Sequence, residues 1–219
     1  MDLATVDKLL TTTRSVRKRL DLSRLVAPEI IEECLDLALQ APTGGNSQGW
    51  HFLVVTDADK KARIGELYKQ SFSIYARSRE EQVPTKDDSE GIAEQMGRVV
   101  KSAVYLANHM HEVPVMVIPC IEGRVEKLGL MAQAGLYGSI LPAAWSFMLA
   151  LRSRGLGTAW TTLHLRYEAE IAAILDIPPH ITQAALLPVA YYTGDDFQPA
   201  KRIPTAKVTS WDSWGNGRS

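Results

Sequence analysis

The chain has 219 residues and a formal net charge of −1, with 24 basic and 25 acidic side chains. Hydrophobic residues make up 46% of the sequence and charged residues 22%, which excludes a disordered, collagen-like or low-complexity chain. The balanced charge also argues against a dedicated nucleic-acid-binding protein, because such proteins are usually strongly basic. A chain of this length folds as one large domain or two small ones.

Apolar residues recur at the helical period in several segments, and shorter apolar runs between them have the composition of strands. The predicted helices are 3–12, 28–40, 58–81, 90–111, 128–151 and 167–175. The predicted strands are 51–56, 113–119, 158–163 and 184–192. Strands that are separated by helices predict a layered α+β or α/β domain with helices on both faces of the sheet.

The stretch over 57–112 is the most polar part of the chain and lies between two predicted strands. A long insertion between strands is where a lid over a binding site is expected. Tyr68, Phe72 and Tyr75 on its first helix could stack on an aromatic ligand, although packing within the chain is the commoner role of such side chains.

The segment over 128–151 carries no charged residue and is long enough to cross a membrane. We interpret it as a buried helix instead, because polar residues and glycines dilute its hydrophobicity. A helix that is apolar all round must be covered on every side, and a second copy of the chain can supply the cover. Small residues would permit the close approach: Ala134, Gly135, Gly138 and Ser139. The sequence therefore predicts a homodimer and no membrane partner.

The two cysteines, Cys34 and Cys120, are too few for a disulfide framework or a four-ligand zinc site. Their apolar neighbours predict buried free thiols. His109 and His111 are two residues apart and do not share a face of a helix, so no metal site is predicted. Residues 1–5 lack the basic stretch and apolar core of a secretory signal, which predicts a cytoplasmic protein.

Residues 45–49 match the G-x-S-x-G pattern of a hydrolase nucleophile, with Ser47 at its centre. Asp176 and either His164 or His180 could complete a catalytic triad. The pattern requires a strand before the serine and a helix after it, whereas here a helix precedes and a strand follows. A serine hydrolase is kept as an alternative of another class.

A basic cluster over 14–19 follows the first helix and predicts a small anion site. Arg14 and Arg17 are three residues apart, so both can point to one spot if the turn is helical. Ser15 adds a hydroxyl donor, and arginine matches phosphate oxygens with two parallel hydrogen bonds. A single phosphate fits a patch of this size.

The loop over 42–50 is rich in groups that bind a polar planar ligand. Gly44 and Gly45 let backbone N–H groups approach closely. The side-chain amides of Asn46 and Gln48 each carry a donor and an acceptor, which suits the edge of a heteroaromatic ring. No phosphate-binding P-loop occurs, and Gly155 and Gly157 lack the third glycine of a dinucleotide fingerprint.

Four segments in this order resemble the FMN-dependent nitroreductase family: 13–17, 41–50, 154–160 and 201–204. The resemblance implies one α+β domain over 1–219, a mixed sheet covered by helices on both faces, and a homodimer with the long apolar helix at its interface. The insertion over 57–112 would be its variable lid, and 196–219 an extended tail. The resemblance also implies non-covalent FMN bound between the subunits, with part of the site supplied by the partner.

The cofactor-binding residues implied by the resemblance are Arg14, Ser15, Arg17, Pro42, Thr43, Gly44, Asn46, Gln48, Trp160, Thr161, Thr162, Lys201 and Arg202. NADH or NADPH would reduce the flavin, and the reduced flavin would pass electrons to a nitroaromatic, quinone or similar planar acceptor in a ping-pong cycle. No side chain need act as a nucleophile or base, so no catalytic residue is predicted.

The sequence departs from the family pattern at three places. Gly49 stands where proline is usual, Thr13 replaces the first arginine of the first motif, and Thr161 and Thr162 stand where many members have two glycines. Bulkier side chains there reshape the acceptor side of the pocket. The same fold with reductive dehalogenase or flavin-breakdown chemistry is therefore an alternative, and a cofactor-free binding module is another.

Overall fold

The computed structural model describes residues 2–80 and 90–217 of the chain, which form two compact units. The larger unit covers 14–195, and the smaller one combines the first 13 residues with the tail from Asp196. The helices are α1 (Leu3–Thr12), α2 (Pro28–Ala38), α3 (Ala58–Glu80), α4 (Glu90–His109), α5 (Leu130–Ser153) and α6 (Glu168–Leu175). The strands are β1 (Trp50–Val55), β2 (Val115–Glu122), β3 (Leu156–Thr158), β4 (Ile181–Gln183) and β5 (Leu187–Tyr191).

The larger unit is built on one sheet with the strand order β1-β2-β5-β3, and β4 pairs with the other end of β2. All of these ladders are antiparallel, with Leu53 opposite Ile118 and Gly157 opposite Ala190. Seven of the eight residues of β2 are buried, as expected for a central strand whose two faces are both covered. The predicted α+β class with helices around a sheet is confirmed.

One face of the sheet packs against α2 and α5. Ile31 and Cys34 of α2 and Phe147 and Leu151 of α5 form a buried cluster with Val117 of β2. Pro28 opens α2 at a position where its missing N–H costs no hydrogen bond. Cys34 and Cys120 are buried free thiols, as predicted. Burial raises the pKa of Cys120 to about 12, so this thiol is not a reactive thiolate at neutral pH.

Helix α5 continues through Pro142 and is buried along one side only. Within the described residues it is the one helix long and apolar enough to cross a membrane, and 44% of its most apolar stretch is buried inside the chain. The buried residues of α5 pack against the sheet, as the sequence predicted for a core helix. Its exposed apolar side chains include Met131, Leu141 and Trp145.

The structure changes the bounds of the four predicted strands, most of all at β3, and adds one strand, β4. Strand β3 ends at Thr158, because its ladder with β5 ends at Val189. The residues that follow leave the ladder and make a loop. Strand β4 has only three residues, which is too short to show an alternating pattern.

The smaller unit contains α1 and the tail. Asp2 caps α1 by accepting hydrogen bonds from the N–H groups of Ala4 and Thr5. Lys8 of the helix forms an ion pair with Asp196 at 2.8 Å. The tail has a single short helical turn, Thr205–Lys207, which agrees with its predicted lack of periodicity.

Candidate functional site

The arginine-rich segment after α1 is fixed along the edge of strand β3. Ser15 pairs with Thr158 in a parallel bridge, and the N–H of Val16 donates to the Thr158 carbonyl at 2.9 Å. Val16 is only 3% exposed. A Cβ atom on Gly157 would lie 2.9 Å from the Cβ of Val16, so the contact requires glycine there. The backbone of this segment is thus held by the sheet.

This pairing corrects the expected geometry of the two arginines. The backbone around Ser15 is extended, whereas the prediction that Arg14 and Arg17 share one face assumed a helical turn. Arg17 extends instead toward helix α4, with its Nη1 atom 3.5 Å from the Oγ atom of Ser102. Burial lowers the pKa of Arg17, yet an arginine remains charged. In the described part of the chain no carboxylate forms an ion pair with it.

The loop after β3 is anchored by Thr161. Its N–H and its hydroxyl both donate to the carbonyl of Leu186, at 3.2 and 2.7 Å. The Leu186 N–H donates back to the Thr161 carbonyl at 2.8 Å. Trp160 packs against the core cluster, and Thr162 is exposed. The loop therefore presents Thr162 outward from a fixed base.

Tyr68 of helix α3 is a buried residue near the arginine segment. Its side chain is only 4% exposed. Burial raises the pKa of Tyr68, and the positive charge of Arg17 partly offsets this. Arg17 thus lies beside Ser102 of α4, and its charge acts on Tyr68 of α3. The arginine segment therefore meets both helices of the predicted lid.

The amide-rich loop over 42–48 is held at a different place. The N–H of Gly44 donates to the Ser139 hydroxyl of α5 at 3.0 Å. The side-chain amide of Gln48 donates to that of Asn46 at 3.2 Å. Gly45, Asn46 and Gln48 all have left-handed backbone angles, with φ of 58°, 54° and 50°. The loop is exposed and presents polar groups outward.

The structure thus brings only part of the predicted cofactor residues together. Ser15, Arg17 and Thr161 converge, with Trp160 and Thr162 beside them. No hydrogen bond in the described residues connects the 42–48 loop with that group. Lys201 and Arg202 belong to the smaller unit, where both are exposed and the Arg202 side chain donates to the Lys201 carbonyl.

The serine of the hydrolase pattern has the reversed surroundings that the sequence predicted. Ser47 follows a short helical turn and precedes β1. None of the hydrogen bonds of the described residues joins it to Asp176, His164 or His180. His164 is completely buried, and its two ring nitrogens have no hydrogen-bond partner within the described chain. Burial lowers its pKa to about 4, so the imidazole is neutral at pH 7.

The two histidines at the end of α4 lie on different elements, since α4 ends at His109. A short helical turn, Met110–Glu112, follows α4, so the spacing argument made for a helix does not apply. His109 and His111 both reach Glu112, at 2.8 and 3.7 Å. Among the described residues, no group of three or more histidine, cysteine or acidic side chains is placed to hold a metal ion.

Three residues of the site were not assigned these roles from the sequence. Tyr68 was considered as a stacking surface, but it is buried. Ser102 on α4 and Ser139 on α5 lie 85 and 95 residues from their partners. No local pattern marks such contacts, since they depend on how the helices pack.

Comparisons with known proteins agree with this architecture. A model described as "Nitroreductase family" matches residues 10–191. The 4-nitrobenzoate reductase of Nocardioides sp. is 25% identical over 205 residues, covering 84% of this chain and 79% of that protein. Iodotyrosine deiodinase 1 of Mus musculus is 26% identical over 200 residues, covering 88% of this chain and 64% of that protein.

A solved structure of iodotyrosine deiodinase bound to FMN and 3-iodo-L-tyrosine has the same fold. It superimposes with a TM-score of 0.69 at 22% identity, covering 91% of this chain and 95% of that chain. At this identity the likeness concerns the fold.

Proposed function

The chain belongs to the nitroreductase family, and from this premise we propose that it is an FMN-dependent oxidoreductase. It takes hydride from NADH or NADPH and passes electrons to a nitroaromatic, quinone or similar planar acceptor by a ping-pong mechanism. The observation that carries the proposal is the convergence of Ser15 and Arg17 with the loop at Thr161, beneath the predicted lid.

The side chains present fit the chemistry of FMN. Arg17 is a half-buried cation without a carboxylate ion pair in the described chain, which suits an anionic ligand. The hydroxyls of Ser15 and Thr162 are exposed donors for a ribityl chain or a ring edge. The exposed loop at Asn46 and Gln48 supplies amide groups for the polar edge of a heteroaromatic ring.

Each group of residues has a separate role in this proposal. Arg14, Ser15 and Arg17 hold the phosphate and ribityl chain, and the role of Lys201 and Arg202 stays a prediction from the sequence. The bound FMN would carry out the chemistry, which is to accept hydride and pass on electrons. The loop over 160–162 lines the edge of the ring, and the lid over 57–112 selects the acceptor. No side chain acts as a nucleophile.

We also propose that the 42–48 loop serves the FMN site of a partner subunit. This loop is exposed, and no hydrogen bond of the described residues joins it to the converged residues of its own chain, so in this proposal a second copy uses it. Helix α5 has an exposed apolar stripe that a second copy can cover; Met131 is 90% exposed and Trp145 is 43% exposed. The small residues Ala134, Gly135 and Gly138 on the same helix are exposed as well.

The dimer is tested by placing a large side chain in that stripe. A Cβ on Gly138 meets no atom of its own chain within 4 Å, so Gly138→Arg is tolerated by the single chain but blocks a close partner. Light scattering should give about twice the 24.2 kDa chain mass for wild type and the single mass for the variant. The variant should also lose FMN. Gly97→Arg, at an exposed helical glycine of α4 with equal space, is the matched control.

The main function is tested by visible spectroscopy of the purified protein. We expect flavin bands near about 370 and 450 nm that bleach under anaerobic conditions with NADPH or NADH. Arg17→Ala should weaken FMN retention, whereas Lys18→Ala, an exposed cation in the same cluster, should not. A protein that takes up no FMN would refute the proposal, and bands that neither nucleotide bleaches would exclude a nicotinamide donor.

Reductive dehalogenation is the second candidate, favoured by the similarity to iodotyrosine deiodinase 1 and by threonines at 161 and 162. The test is halide release from a halophenol by dithionite-reduced protein without NAD(P)H. Release at a rate above that of free reduced FMN would support this candidate over the nitroaromatic or quinone acceptor. The cytoplasmic location stays a prediction.

A further inference from the structure

A buried histidine lies in the short helical turn that follows the loop after β3. This 163–167 turn (Leu163–Tyr167) begins directly after Thr162, whose carbonyl accepts a hydrogen bond from the Leu165 N–H at 3.0 Å. At its other end the loop is fixed to the sheet by the hydrogen bonds between Thr161 and Leu186. The loop is therefore held between the sheet and the 163–167 turn.

The packing of the turn requires a neutral imidazole. His164 is completely buried, and neither of its ring nitrogens has a hydrogen-bond partner among the described residues. An imidazolium in the same place would bury a positive charge and leave two N–H donors unsatisfied. Burial accordingly lowers the pKa of His164 to about 4, against 6.5 for an exposed histidine. A protonated His164 is stable only where water can reach it.

The charged groups described around the turn form no hydrogen bond with His164. Glu168 at the start of α6 carries a negative charge that favours the protonated imidazole, but both of its carboxylate oxygens are bonded to Arg124, at 2.8 and 2.9 Å. Helix α3 also packs against the turn, and the titratable side chain that its described residues bury is Tyr68, which is uncharged at neutral pH. Arg166 of the turn itself is exposed.

We propose that His164 is an acid-sensitive switch on the loop after β3: when its imidazole takes up a proton, the 163–167 turn opens, Thr162 is released and bound FMN leaves faster. The inference rests on the proposed function, in which this loop lines the flavin ring. It adds a dependence of cofactor retention on pH that the proposed reaction does not itself require.

Proton linkage gives the size of the effect. In the open turn His164 is exposed and takes up a proton below pH 6.5, whereas in the closed turn it stays neutral down to about pH 4. Each pH unit between these two values therefore favours the open turn by about tenfold, and the whole range by about 300-fold. Above pH 6.5 the imidazole is neutral in both states, so opening should not depend on pH.

The test combines hydrogen exchange and FMN release in the FMN-loaded protein, between about pH 7 and 4.5. The exchange rate of the Leu165 amide, divided by the intrinsic rate of an exposed amide, gives the opening constant of the turn. The amide of Val16, which donates to Thr158 at 2.9 Å, reports the opening of the neighbouring sheet edge. FMN release after dilution is followed by the fluorescence of the free cofactor.

The variants separate His164 from other titrating groups. His164→Leu removes the imidazole without breaking a hydrogen bond of the described chain, and His164→Gln is a second variant with a polar side chain that does not titrate. His180→Leu, at an exposed histidine, is the matched control. The Leu165 opening constant and the FMN release rate should rise about tenfold per pH unit below 6.5 in wild type and the control. This rise should be absent from both His164 variants, where only the slope due to the FMN phosphate, with a second pKa of about 6, remains.

Equal pH slopes in wild type and the His164 variants would overturn the inference. A Leu165 amide that opens no more readily than that of Val16 would also overturn it, because His164 would then be exposed only when the sheet itself opens. So would acid-dependent opening of the turn with equal FMN release in all variants. A wild-type protein that takes up no FMN at any pH would refute the proposed function, and the inference with it; this failure is recognised because it occurs without any substitution.

Discussion

The segment over 14–17 and the loop over 42–48 carry similar ligand-binding groups, but the chain holds them in different ways. Ser15 is paired with strand β3, and the neighbouring Val16 packs against Gly157 with no spare room. The second loop is exposed, and its contact with α5 is the hydrogen bond from Gly44 to Ser139. In the proposed site, the first segment would serve its own chain and the second would be offered to a partner subunit.

The largest expected effect is a fall in the free energy of unfolding at acidic pH, caused by a buried histidine next to the loop after β3. His164 follows the 160–162 loop and is buried, with its pKa lowered to about 4. Above pH 6.5 it is neutral in both the folded and unfolded states. Below pH 6.5, His164 takes up a proton in the unfolded chain, whereas in the folded chain it stays neutral down to about pH 4. The free energy of unfolding should therefore fall by about 3 kcal/mol between pH 6.5 and 4.

Urea denaturation across this pH range measures the effect. His164→Leu should remove most of the slope, whereas His180→Leu, at an exposed histidine, should keep it. An equally steep slope in His164→Leu would show that other groups cause the acid sensitivity.

Gly157→Ala should disrupt the close packing of the 14–17 segment against β3. The new Cβ would lie 2.9 Å from Val16, so the arginine segment must move away from β3. We expect a loss of about 2 kcal/mol in unfolding free energy and at least about tenfold weaker FMN binding. Gly97→Ala has open space on α4 and should be neutral or slightly stabilising. Full FMN affinity in Gly157→Ala would show that this packing does not position the cofactor residues.

Ser139→Ala should loosen the 42–48 loop and leave the 14–17 segment unchanged. The Gly44 N–H loses its acceptor, which costs about 1 kcal/mol because the group is partly buried. Limited proteolysis should cut the 42–48 loop faster. Ser153→Ala is the control, since that hydroxyl also donates to a carbonyl of α5 itself but contacts no loop glycine. Equal cleavage in both variants would contradict the anchoring role of Ser139.

Gln48→Ala should have the smallest effect on folding. Its side-chain bond to Asn46 is exposed, so the free energy of unfolding should change by less than about 0.5 kcal/mol. FMN affinity in the dimer should nevertheless fall, because the amide is offered to a ligand. A titration that shows unchanged affinity would remove Gln48 from the cofactor set.

Helix positions could be predicted well because they follow from local periodicity. The predicted segments 58–81 and 128–151 match α3 and α5 within two residues. The same method failed at β3, whose end depends on where its ladder with β5 stops, and at β4, whose three residues show no pattern. Strand limits depend on distant partners, and these are absent from any local window.

In the candidate site, too, some features could be predicted from the sequence and others could not. The donors in the 14–17 segment and the 42–48 loop could be identified from residue types alone. The helical turn that was the condition for Arg14 and Arg17 to point to one spot is absent at Ser15, which pairs with Thr158. Their convergence on a phosphate stays a prediction. The outcome for Lys201 and Arg202 stays a prediction, since they belong to the smaller unit.

The sequence by itself determined the family and the fold class and led to a prediction of the site, because motif order, apolar periodicity and side-chain donors are local properties. Only the tertiary structure decided that Tyr68 is buried, that both donors of Thr161 bond to the Leu186 carbonyl and that α5 keeps an exposed apolar stripe. These features depend on packing between segments far apart in the chain, and packing is set by which surfaces meet rather than by the pattern along any one of them.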